Sequence, residues 1–318
     1  MKAFVVEDWG KPPVMVDRAE RELAADEISL KIEACGLNFA DLVMIEGQYQ
    51  ERPPLPVTLG MEVAGTVLEA GQNTNFLTGE RVAVVGGTGG LAETGCFPAE
   101  KAVRLPDSLA FVDAAAFQVA YGTSHVALSH RASLKEGETL VVLGAAGGVG
   151  LTAVEIGKLM GARVIGVARG ADRLDAVKAA GADHVIDSAN ADLYEELKAL
   201  GGGDVVYDPV GGDAFKAAFR TARPEARIVV IGFASGDIPQ IKANHLLVKN
   251  LDVMGFYWGG YNAFRPEVVR QSMDTLLGWY EEGKLKPHVS HTFPFEKSGE
   301  ALEMLKSRKS TGKIVVTM

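Results

Sequence analysis

A glycine-rich segment between a strand-like and a helix-like pattern has the residue types of an anion-binding turn. It reads Ala145-x-Gly147-x-x-Gly150 and follows the apolar run Leu140–Leu143. Glycines let the backbone approach a pyrophosphate, and the N–H groups that begin the next helix favour an anion. Strand, glycine turn and helix in this order open a βαβ unit that holds a dinucleotide, here with alanine in place of the first glycine. A plain strand-to-helix connection is the alternative.

We therefore predict that the whole turn contacts the cofactor. The predicted contacts are Ala145, Ala146, Gly147, Gly148, Val149 and Gly150.

The end of the next predicted strand indicates which dinucleotide binds. Strand Arg163–Ala168 is followed at once by Arg169, and Arg173 comes one helical turn later. This edge, about 20 residues past a glycine turn, faces the adenosine ribose, where a carboxylate selects NAD and arginine accommodates the 2′-phosphate of NADP. Two guanidinium groups predict NADPH through charge-assisted bonds. In the alternative interpretation both arginines are surface charges paired with Asp172 and Asp175.

Composition argues against several classes of function. The 318 residues are 47% hydrophobic and 23% charged, which is ordinary for a globular protein. The net charge of −9 argues against a nucleic-acid or an anionic membrane partner. The two cysteines, Cys35 and Cys96, have no metal-ligand spacing and suit a reducing compartment. Since the N-terminus resembles a short strand and no run is long enough to span a bilayer, we expect a cytoplasmic protein.

The chain has two kinds of sequence, which together predict an α/β protein. Residues 1–117 are β-rich, with short strands separated by turns rich in glycine and proline, as in a barrel-like domain. A helix over Asp113–Leu128 then leads to alternating strands and helices, which predict a doubly wound parallel sheet. The first-domain strands are predicted at Ala3–Val6, Glu27–Cys35, Met61–Ala70 and Glu80–Val85.

The alternating region is followed by a different tail. Its six strands are predicted at Leu140–Leu143, Arg163–Ala168, His184–Asp187, Asp204–Asp208, Arg227–Gly232 and Leu251–Met254. Its helices are predicted near Gly150–Met160, Asp172–Ala180, Asp192–Leu200, Asp213–Thr221 and His245–Lys249. Helices Pro266–Glu282 and Glu296–Ser307 and strands His288–Phe293 and Lys313–Thr317 are predicted to return to the first domain.

Several motifs in order along the chain resemble those of the medium-chain dehydrogenases/reductases. They are Gly36–Asp41, Gly60–Gly71, Gly79–Val82, the turn Ala145–Gly150 and Gly312-Lys313. The resemblance covers essentially the whole chain. It implies a GroES-like catalytic domain, residues 1–117 and 258–318, split around a Rossmann NADPH-binding domain, residues 118–257, with the active site in the cleft.

Two positions depart from the zinc-dependent branch of that family. Asn38 stands where the zinc alcohol dehydrogenases have a cysteine ligand, and Met61 stands where they have a histidine ligand. Neither an amide nor a thioether is a usual zinc ligand, and the lobe with four cysteines is missing, so we predict no metal. Without a Lewis acid that lowers the pKa of a hydroxyl, the hydride should pass to an electron-poor acceptor such as a quinone or an α,β-unsaturated carbonyl.

Within the family the chain looks like the zinc-free quinone oxidoreductases related to ζ-crystallin, on the strength of Asn38, Phe39, Asp41 and the glycine turn. The resemblance implies that Asn38 lies beside the nicotinamide and bonds a substrate carbonyl; a helix cap is the alternative. Tyr49 matches a pocket tyrosine that could donate a proton, or it could simply pack. Asp41 is expected to be structural. Val43 replaces a tyrosine found in several of these reductases, which weakens the expectation of a quinone.

Further cofactor contacts are predicted by position. Thr123 matches a threonine on the nicotinamide side, the loops after the fourth and fifth strands lie where open sheets bind ligands, and the segment after the sixth flanks the cleft. Lys313 is a candidate contact for a cofactor phosphate. The alternatives are an ordinary helical threonine, hinge packing of the aromatic residues and a solvated lysine. The predicted residues are Thr123, Asp208, Val210, Gly232, Phe233, Ala234, Phe256, Tyr257, Trp258 and Lys313.

Three functions are compatible with these residues. The leading prediction is an NADPH-dependent, zinc-independent reductase that transfers hydride, or single electrons, to a quinone. An enoyl or alkenal double-bond reductase, acting on enones or thioesters, shares nearly every cofactor residue. A non-catalytic NADPH-binding protein, crystallin-like or RNA-binding, is the third. Relatives commonly dimerise through the edge strand of the Rossmann sheet, so we predict a homodimer through Leu251–Gly255.

Overall fold

A computed structural model describes all 318 residues, which form two compact units. The first unit comprises residues 1–119 and 287–318, and the second comprises residues 120–286. The first boundary between the units lies two residues from the predicted one. The chain was predicted to re-enter the first unit at residue 258, but it does so at residue 287. The reason is a long helix after residue 265 that packs within the second unit: Ser272 Oγ lies 2.7 Å from His125 Nδ1, and Trp279 packs edge-on against the same imidazole.

Most of the elements in the chain up to residue 125 are strands. Its elements are β1 (Lys2–Val6), β2 (Val14–Asp17), β3 (Glu27–Gly36), α1 (Phe39–Ile45), β4 (Val57–Thr58), β5 (Glu62–Ala70), β6 (Arg81–Val85), β7 (Thr94–Pro98), β8 (Ala102–Arg104), α2 (Phe111–Ala114) and α3 (Gln118–His125). The strands β2, β4, β7 and β8 were not predicted; β2, β4 and β8 have only two to four residues each.

The predicted single helix over Asp113–Leu128 is divided. Helix α2 ends at Ala114, α3 begins at Gln118, and a π-helical turn covers Val126–Arg131. The N–H of Val119 donates to Glu62 Oε2 over 3.0 Å. Because a helix start leaves its first N–H groups without acceptors, this carboxylate stabilises a new helix start here.

The second unit alternates strands and helices. After the π-helical turn come β9 (Thr139–Leu143), α4 (Gly148–Leu159), β10 (Arg163–Ala168), α5 (Leu174–Ala179), β11 (His184–Asp187), α6 (Leu193–Ala199), β12 (Val205–Asp208), α7 (Gly212–Thr221), β13 (Arg227–Val230), α8 (Ala243–Lys249), β14 (Asp252–Gly255), α9 (Trp258–Phe264) and α10 (Pro266–Glu281). The chain ends in β15 (Val289–Pro294), α11 (Ser298–Ser307) and β16 (Lys313–Thr317) in the first unit.

The second unit contains one parallel sheet in the order β11-β10-β9-β12-β13-β14. In chain order this is 3-2-1-4-5-6, the doubly wound order that binds dinucleotides at the carboxyl ends of its strands. The central strand β9 is buried along its whole length, as the apolar run predicted. The predicted Rossmann sheet is thus confirmed.

The first unit contains two sheets of largely antiparallel strands. A seven-stranded sheet has the order β15-β16-β3-β5-β6-β8, with β7 also paired to β3, and a three-stranded sheet has the order β2-β1-β4. Alternate residues of β3, among them Ile28, Leu30 and Ile32, are fully buried, which is the period of two expected for a strand with one face on the core. This β-rich unit confirms the other half of the predicted fold. No helix combines the length and hydrophobicity needed to cross a membrane.

Candidate active site

The glycine turn of the second unit has no room for side chains on its inner side. Gly144 has a φ of +60°, and its carbonyl accepts the N–H of Gly147 over 3.0 Å. A Cβ on Gly150 would lie 2.2 Å from the oxygen of Gly144, which is closer than atoms can approach. Gly150 is therefore required for α4 to begin against the turn, and this is the role of the last glycine in a dinucleotide turn.

The outer side of the turn presents the start of α4. Gly147 is the N-cap residue and offers no capping side chain, and the first intrahelical bond runs from the N–H of Leu151 to the Gly147 carbonyl over 2.9 Å. The N–H groups before Leu151 consequently have no acceptor within the helix. Gly147 is exposed, and Gly148 and Val149 are half-buried. An exposed helix start of this kind can bind an anion.

Predicted contacts from three strands lie along the carboxyl edge of the sheet. Val210 lies beside Gly144, since a Cβ on that glycine would be 2.8 Å from Val210 Cγ2. The loop after β13 bonds to the loop after β12 through the N–H of Ala234, which donates to the Pro209 carbonyl over 3.0 Å. The N–H of Phe256, after β14, donates to the Val230 carbonyl over 3.0 Å. Tertiary structure therefore brings these sequence-distant positions to one edge.

Asp208 lies behind this edge and has a different role from the predicted cofactor contact. The residue is fully buried, and its Oδ1 accepts the N–H groups of Val210 and Gly211 over 2.8 and 2.9 Å. These bonds close the turn that follows β12. Burial raises the pKa of the carboxyl. Asp208 thus shapes the loop that carries Val210.

The two predicted phosphate-binding arginines lie at the carboxyl end of β10 and in the turn after it. Arg169 is exposed and Arg173 is half-buried. An acid is also present at this edge, because the parallel register places Asp187 of β11 beside Ala168. Asp187 is not among the residues predicted for this edge, since strand pairing rather than chain proximity brings it here.

The Asp187 carboxylate is directed at its own turn. Its Oδ1 accepts the N–H groups of Gly170 and Ala189 over 2.8 and 3.0 Å, and its Oδ2 accepts Asn190 Nδ2 over 2.8 Å. The bonds from Ala189, Gly170 and Asn190 hold the pKa of Asp187 below its ordinary value. The carboxylate therefore orders the backbone directly after Arg169.

The remaining predicted contacts of the second unit differ in exposure. Thr123 is buried in α3. Next to it in the chain, Gly122 packs against Trp258, whose Nε1 would lie 2.9 Å from a Cβ on that glycine. Trp258 is buried at the start of α9, a helix that was not predicted, whereas Tyr257 and Phe233 are exposed.

In the first unit Asn38 is the N-cap residue of α1. Its N–H donates to Asp41 Oδ2 over 2.7 Å, and the N–H of Asp41 donates to the Asn38 carbonyl over 2.9 Å. Asp41 is fully buried, and burial raises the pKa of its carboxyl to about 7. Asp41 therefore holds Asn38 at the start of the helix, which is a structural role of the kind that was expected.

Lys313 was predicted to contact a cofactor phosphate, but in the structure its partners are buried side chains of the first unit. Its ammonium forms an ion pair with Glu62, with side chains only 7% and 1% exposed, and it donates to Asn38 Oδ1 over 2.8 Å. A lysine after a glycine at a strand start suggested an exposed charge. The pairing of β16 with β3 instead places it inside the sheet of the first unit.

Glu62 belongs to this site but is not among the predicted site residues. Its Oε1 pairs with Lys313 and accepts Asn38 Nδ2 over 3.0 Å, and its Oε2 accepts the N–H of Val119. The available signal was an acid followed directly by the apolar residues Val63 and Ala64 in a predicted strand, because a buried carboxylate requires a partner.

Tyr49 and Met61 lie near the hydrophobic core of the same unit. Tyr49 is half-buried in the loop after α1 and packs against this core, whereas Met61 belongs to it. A cavity of about 290 Å³ lies between α1 and the loops 51–53 and 86–88. No group of three or more His, Cys, Asp and Glu side chains has an arrangement that could hold a metal ion.

Comparison with known proteins agrees with this architecture. The model of the alcohol dehydrogenase GroES-like domain matches residues 24–107, and the model of the zinc-binding dehydrogenases matches residues 148–276. The quinone oxidoreductase-like protein 2 homolog of Nematostella vectensis is 39% identical over 99% of this chain and 88% of its own.

Solved structures have the same fold over the whole chain. The quinone oxidoreductase of Thermus thermophilus, described also in its complex with NADPH, superposes with a TM-score of 0.88 at 34% identity and covers 100% of both chains. The quinone oxidoreductase of Escherichia coli complexed with NADPH superposes with a TM-score of 0.93 at 28% identity, again over 100% of both chains. The chain belongs to the medium-chain dehydrogenase/reductase family, in the branch of the quinone oxidoreductases.

Proposed function

We propose that this protein is an NADPH-dependent, zinc-independent reductase whose acceptor is a quinone. The observation that carries the proposal is the glycine turn, with its exposed helix start, at the carboxyl edge of a doubly wound sheet. Proteins similar to this chain include quinone oxidoreductases whose structures were solved in complex with NADPH.

The residues of the turn fit a dinucleotide. A Cβ on Gly150 is sterically excluded, Gly147 is open on its outer side, and the start of α4 has no capping side chain. The N–H groups that begin α4 would hold the pyrophosphate, and Val210 would pack beside it. When bound, NADPH supplies the hydride.

The preference for NADPH over NADH is supported by charge at the end of β10. Arg169 is exposed there, Arg173 follows in the next turn, and Asp187 bonds backbone N–H groups of its own turn and of Gly170. Guanidinium groups bind a phosphate with paired, charge-assisted bonds, whereas a ribose hydroxyl gains little from them.

Zinc independence is supported by the chemistry of the two positions compared with zinc ligands. The amide oxygen of Asn38 already accepts a bond from the ammonium of Lys313, and Met61 offers a thioether. The positive charge of the Lys313 ammonium at the Asn38 amide oxygen disfavours a metal cation there. The thioether of Met61 is a soft ligand that Zn²⁺ seldom uses.

Within this proposal, the chain's residues position and polarise the acceptor. The Asn38 amide donates to the acceptor carbonyl, whose oxygen gains negative charge as hydride arrives, so this bond is strongest in the transition state. Tyr49 or water then supplies the proton. An acceptor that is already electron-poor needs no metal for this step.

The test measures NADPH oxidation with 1,4-benzoquinone, a series of 2-alkenals and crotonyl thioester. Of these acceptors, the quinone is expected to have the highest kcat/KM. Rates on enoyl substrates far above those on quinones would instead identify a double-bond reductase. A protein that binds NADPH but reduces none of these compounds would belong to the non-catalytic class.

We also propose a homodimer. The strand β14 is the outermost strand of the parallel sheet, and the neighbouring helix α8 leaves Leu247 and Val248 77% and 76% exposed. An unpaired strand edge and exposed apolar side chains on the helix that precedes it in the chain are features that a second copy of the chain could cover.

A further inference from the structure

The side chain of Asn38 lies between a group that can only donate and a group that can only accept. Lys313 Nζ donates to Asn38 Oδ1 over 2.8 Å, and Glu62 Oε1 accepts from Asn38 Nδ2 over 3.0 Å. A reversed amide would place two donors against each other on one side and two acceptors on the other. The ion pair therefore fixes the orientation of the Asn38 amide, with Oδ1 towards Lys313 and Nδ2 towards Glu62.

The amide has one hydrogen bond that it can exchange. Its second N–H is directed at the Gly36 carbonyl over 3.3 Å, which is long for an N–H···O bond. Asn38 is only half-buried, so this N–H is the donor that a ligand carbonyl could recruit. The bond from Lys313 to the amide oxygen polarises the amide and strengthens that donor.

We propose that Lys313 and Glu62 are positioning residues that hold the Asn38 amide with its N–H side available to the acceptor. The inference rests on the proposed function, in which Asn38 bonds the acceptor carbonyl. The ammonium does not touch the acceptor in this arrangement; it acts through the amide.

The fold places both charged residues independently of Asn38. Gly312 has a φ of +59°, and a Cβ there would lie 2.3 Å from the His288 carbonyl oxygen. This close approach lets the N–H of Lys313 donate to the same carbonyl over 2.9 Å. Glu62 begins β5 and is held from the other side by the N–H of Val119.

A double-mutant cycle in steady-state kinetics tests the proposal. Lys313→Met should lower kcat for the quinone about 10- to 100-fold, the range expected from a small misplacement of a reacting group. The KM for NADPH should stay unchanged. In the Asn38→Ala background the same substitution should have no further effect, because the group that it positions is gone. An equal loss in both backgrounds, or wild-type kcat in Lys313→Met, would overturn the inference.

Three further variants separate positioning from folding. Lys313→Met leaves Glu62 buried without its partner and is expected to be less stable. The double variant Glu62→Gln with Lys313→Met leaves no unpaired charge, so it should keep a wild-type Tm and still have low kcat; recovery of wild-type kcat would contradict the proposal. Lys313→Arg keeps a donor and should recover most of the activity. Lys31→Met, which breaks the exposed pair with Glu33, is the matched control and should change nothing.

The cycle also distinguishes failure of the inference from failure of the proposed function. If the wild-type protein reduces no electrophile, or if Asn38→Ala keeps full activity, the proposed function is wrong. If Asn38→Ala is inactive while every Lys313 and Glu62 variant retains wild-type kcat, only the positioning role is wrong.

Discussion

The ammonium of Lys313 lies 2.8 Å from the amide oxygen of Asn38, although 275 positions separate the two residues. The contact exists because β16 pairs antiparallel with β3, bringing the end of the chain beside the start of α1. Glu62 completes the group from β5, the other neighbour of β3. Residues in or directly after three strands that are neighbours in one sheet, β16, β3 and β5, thus form a buried polar cluster in the first unit.

Asn38→Ala should lower kcat for the quinone by about 10²-fold, the effect of removing one preorganised donor to a developing oxyanion. The KM for NADPH should change little, since the glycine turn proposed to bind it lies in the second unit. Stopped-flow measurement of NADPH oxidation gives the chemical step directly. Binding of NADPH, followed by its fluorescence, serves as the control for folding. An unchanged rate would remove Asn38 from the proposed mechanism.

Arg169→Ala combined with Arg173→Ala should raise the KM for NADPH about 100-fold or more, because each charge-assisted bond contributes about 1.5–3 kcal/mol. The KM for NADH should change little, so the preference between the cofactors should narrow or reverse. Lys178→Ala removes a nearby exposed charge from α5 and controls for the general electrostatic field. Equal losses for both cofactors would argue against recognition of the 2′-phosphate.

Gly150→Ala should abolish NADPH binding, since its Cβ would lie 2.2 Å from the Gly144 oxygen and would displace the start of α4. Isothermal titration with NADPH and a thermal melt measure this effect. The matched control is Gly278→Ala in α10, where no atom lies within 4 Å of the added carbon. That variant should be more stable by about 0.4–1 kcal/mol, because alanine restricts the unfolded chain. Normal affinity in Gly150→Ala would contradict the proposed site.

Asp41 should make the first unit less stable as pH rises. The pKa of its carboxyl is about 7 in the folded chain and near the ordinary value of 3.8 when unfolded. Between these values only the folded state keeps the proton, so the contribution is complete below about pH 4 and is lost as pH rises through 7. The slope is at most about 1.4 kcal/mol per pH unit.

Asp41→Asn removes this dependence while keeping an oxygen to accept the N–H of Asn38. The difference in unfolding free energy between wild type and variant, measured in urea from pH 5 to pH 8, should move in favour of the variant and level off above pH 7. His125, whose pKa burial lowers to about 4, contributes equally to both proteins and cancels. A difference that is independent of pH would show that Asp41 is ionised throughout this range.

Replacing Leu247 and Val248 together by aspartate should convert the proposed dimer into a monomer, because two charges would be buried against a second copy of the chain. Size-exclusion chromatography with light scattering measures the mass. Leu77→Asp is the control, because Leu77 is 70% exposed and belongs to the first unit, whereas the parallel sheet belongs to the second. A wild-type protein that is already monomeric would refute the proposed assembly.

Local patterns in the sequence were sufficient for much of the fold. The run Leu140–Leu143 and the glycines after it predicted β9 and the start of α4, since an apolar run, turn geometry and helix capping are local properties of the chain. All six strands of the parallel sheet were predicted to within a few residues for the same reason. The strands β2, β4 and β8 were missed because two to four residues carry too little periodicity.

The partners of the charged residues came from the fold alone. Lys313 was assigned to a phosphate, yet strand pairing buries it against Glu62 and Asn38. Asp187 lies at the edge that carries Arg169 because of the register between β10 and β11. The positions of most of the longer strands and helices could be predicted from the amino-acid sequence, since they depend on residues a few positions apart. Which side chains meet depends on strand order and register, and these are determined by packing between segments far apart in the chain.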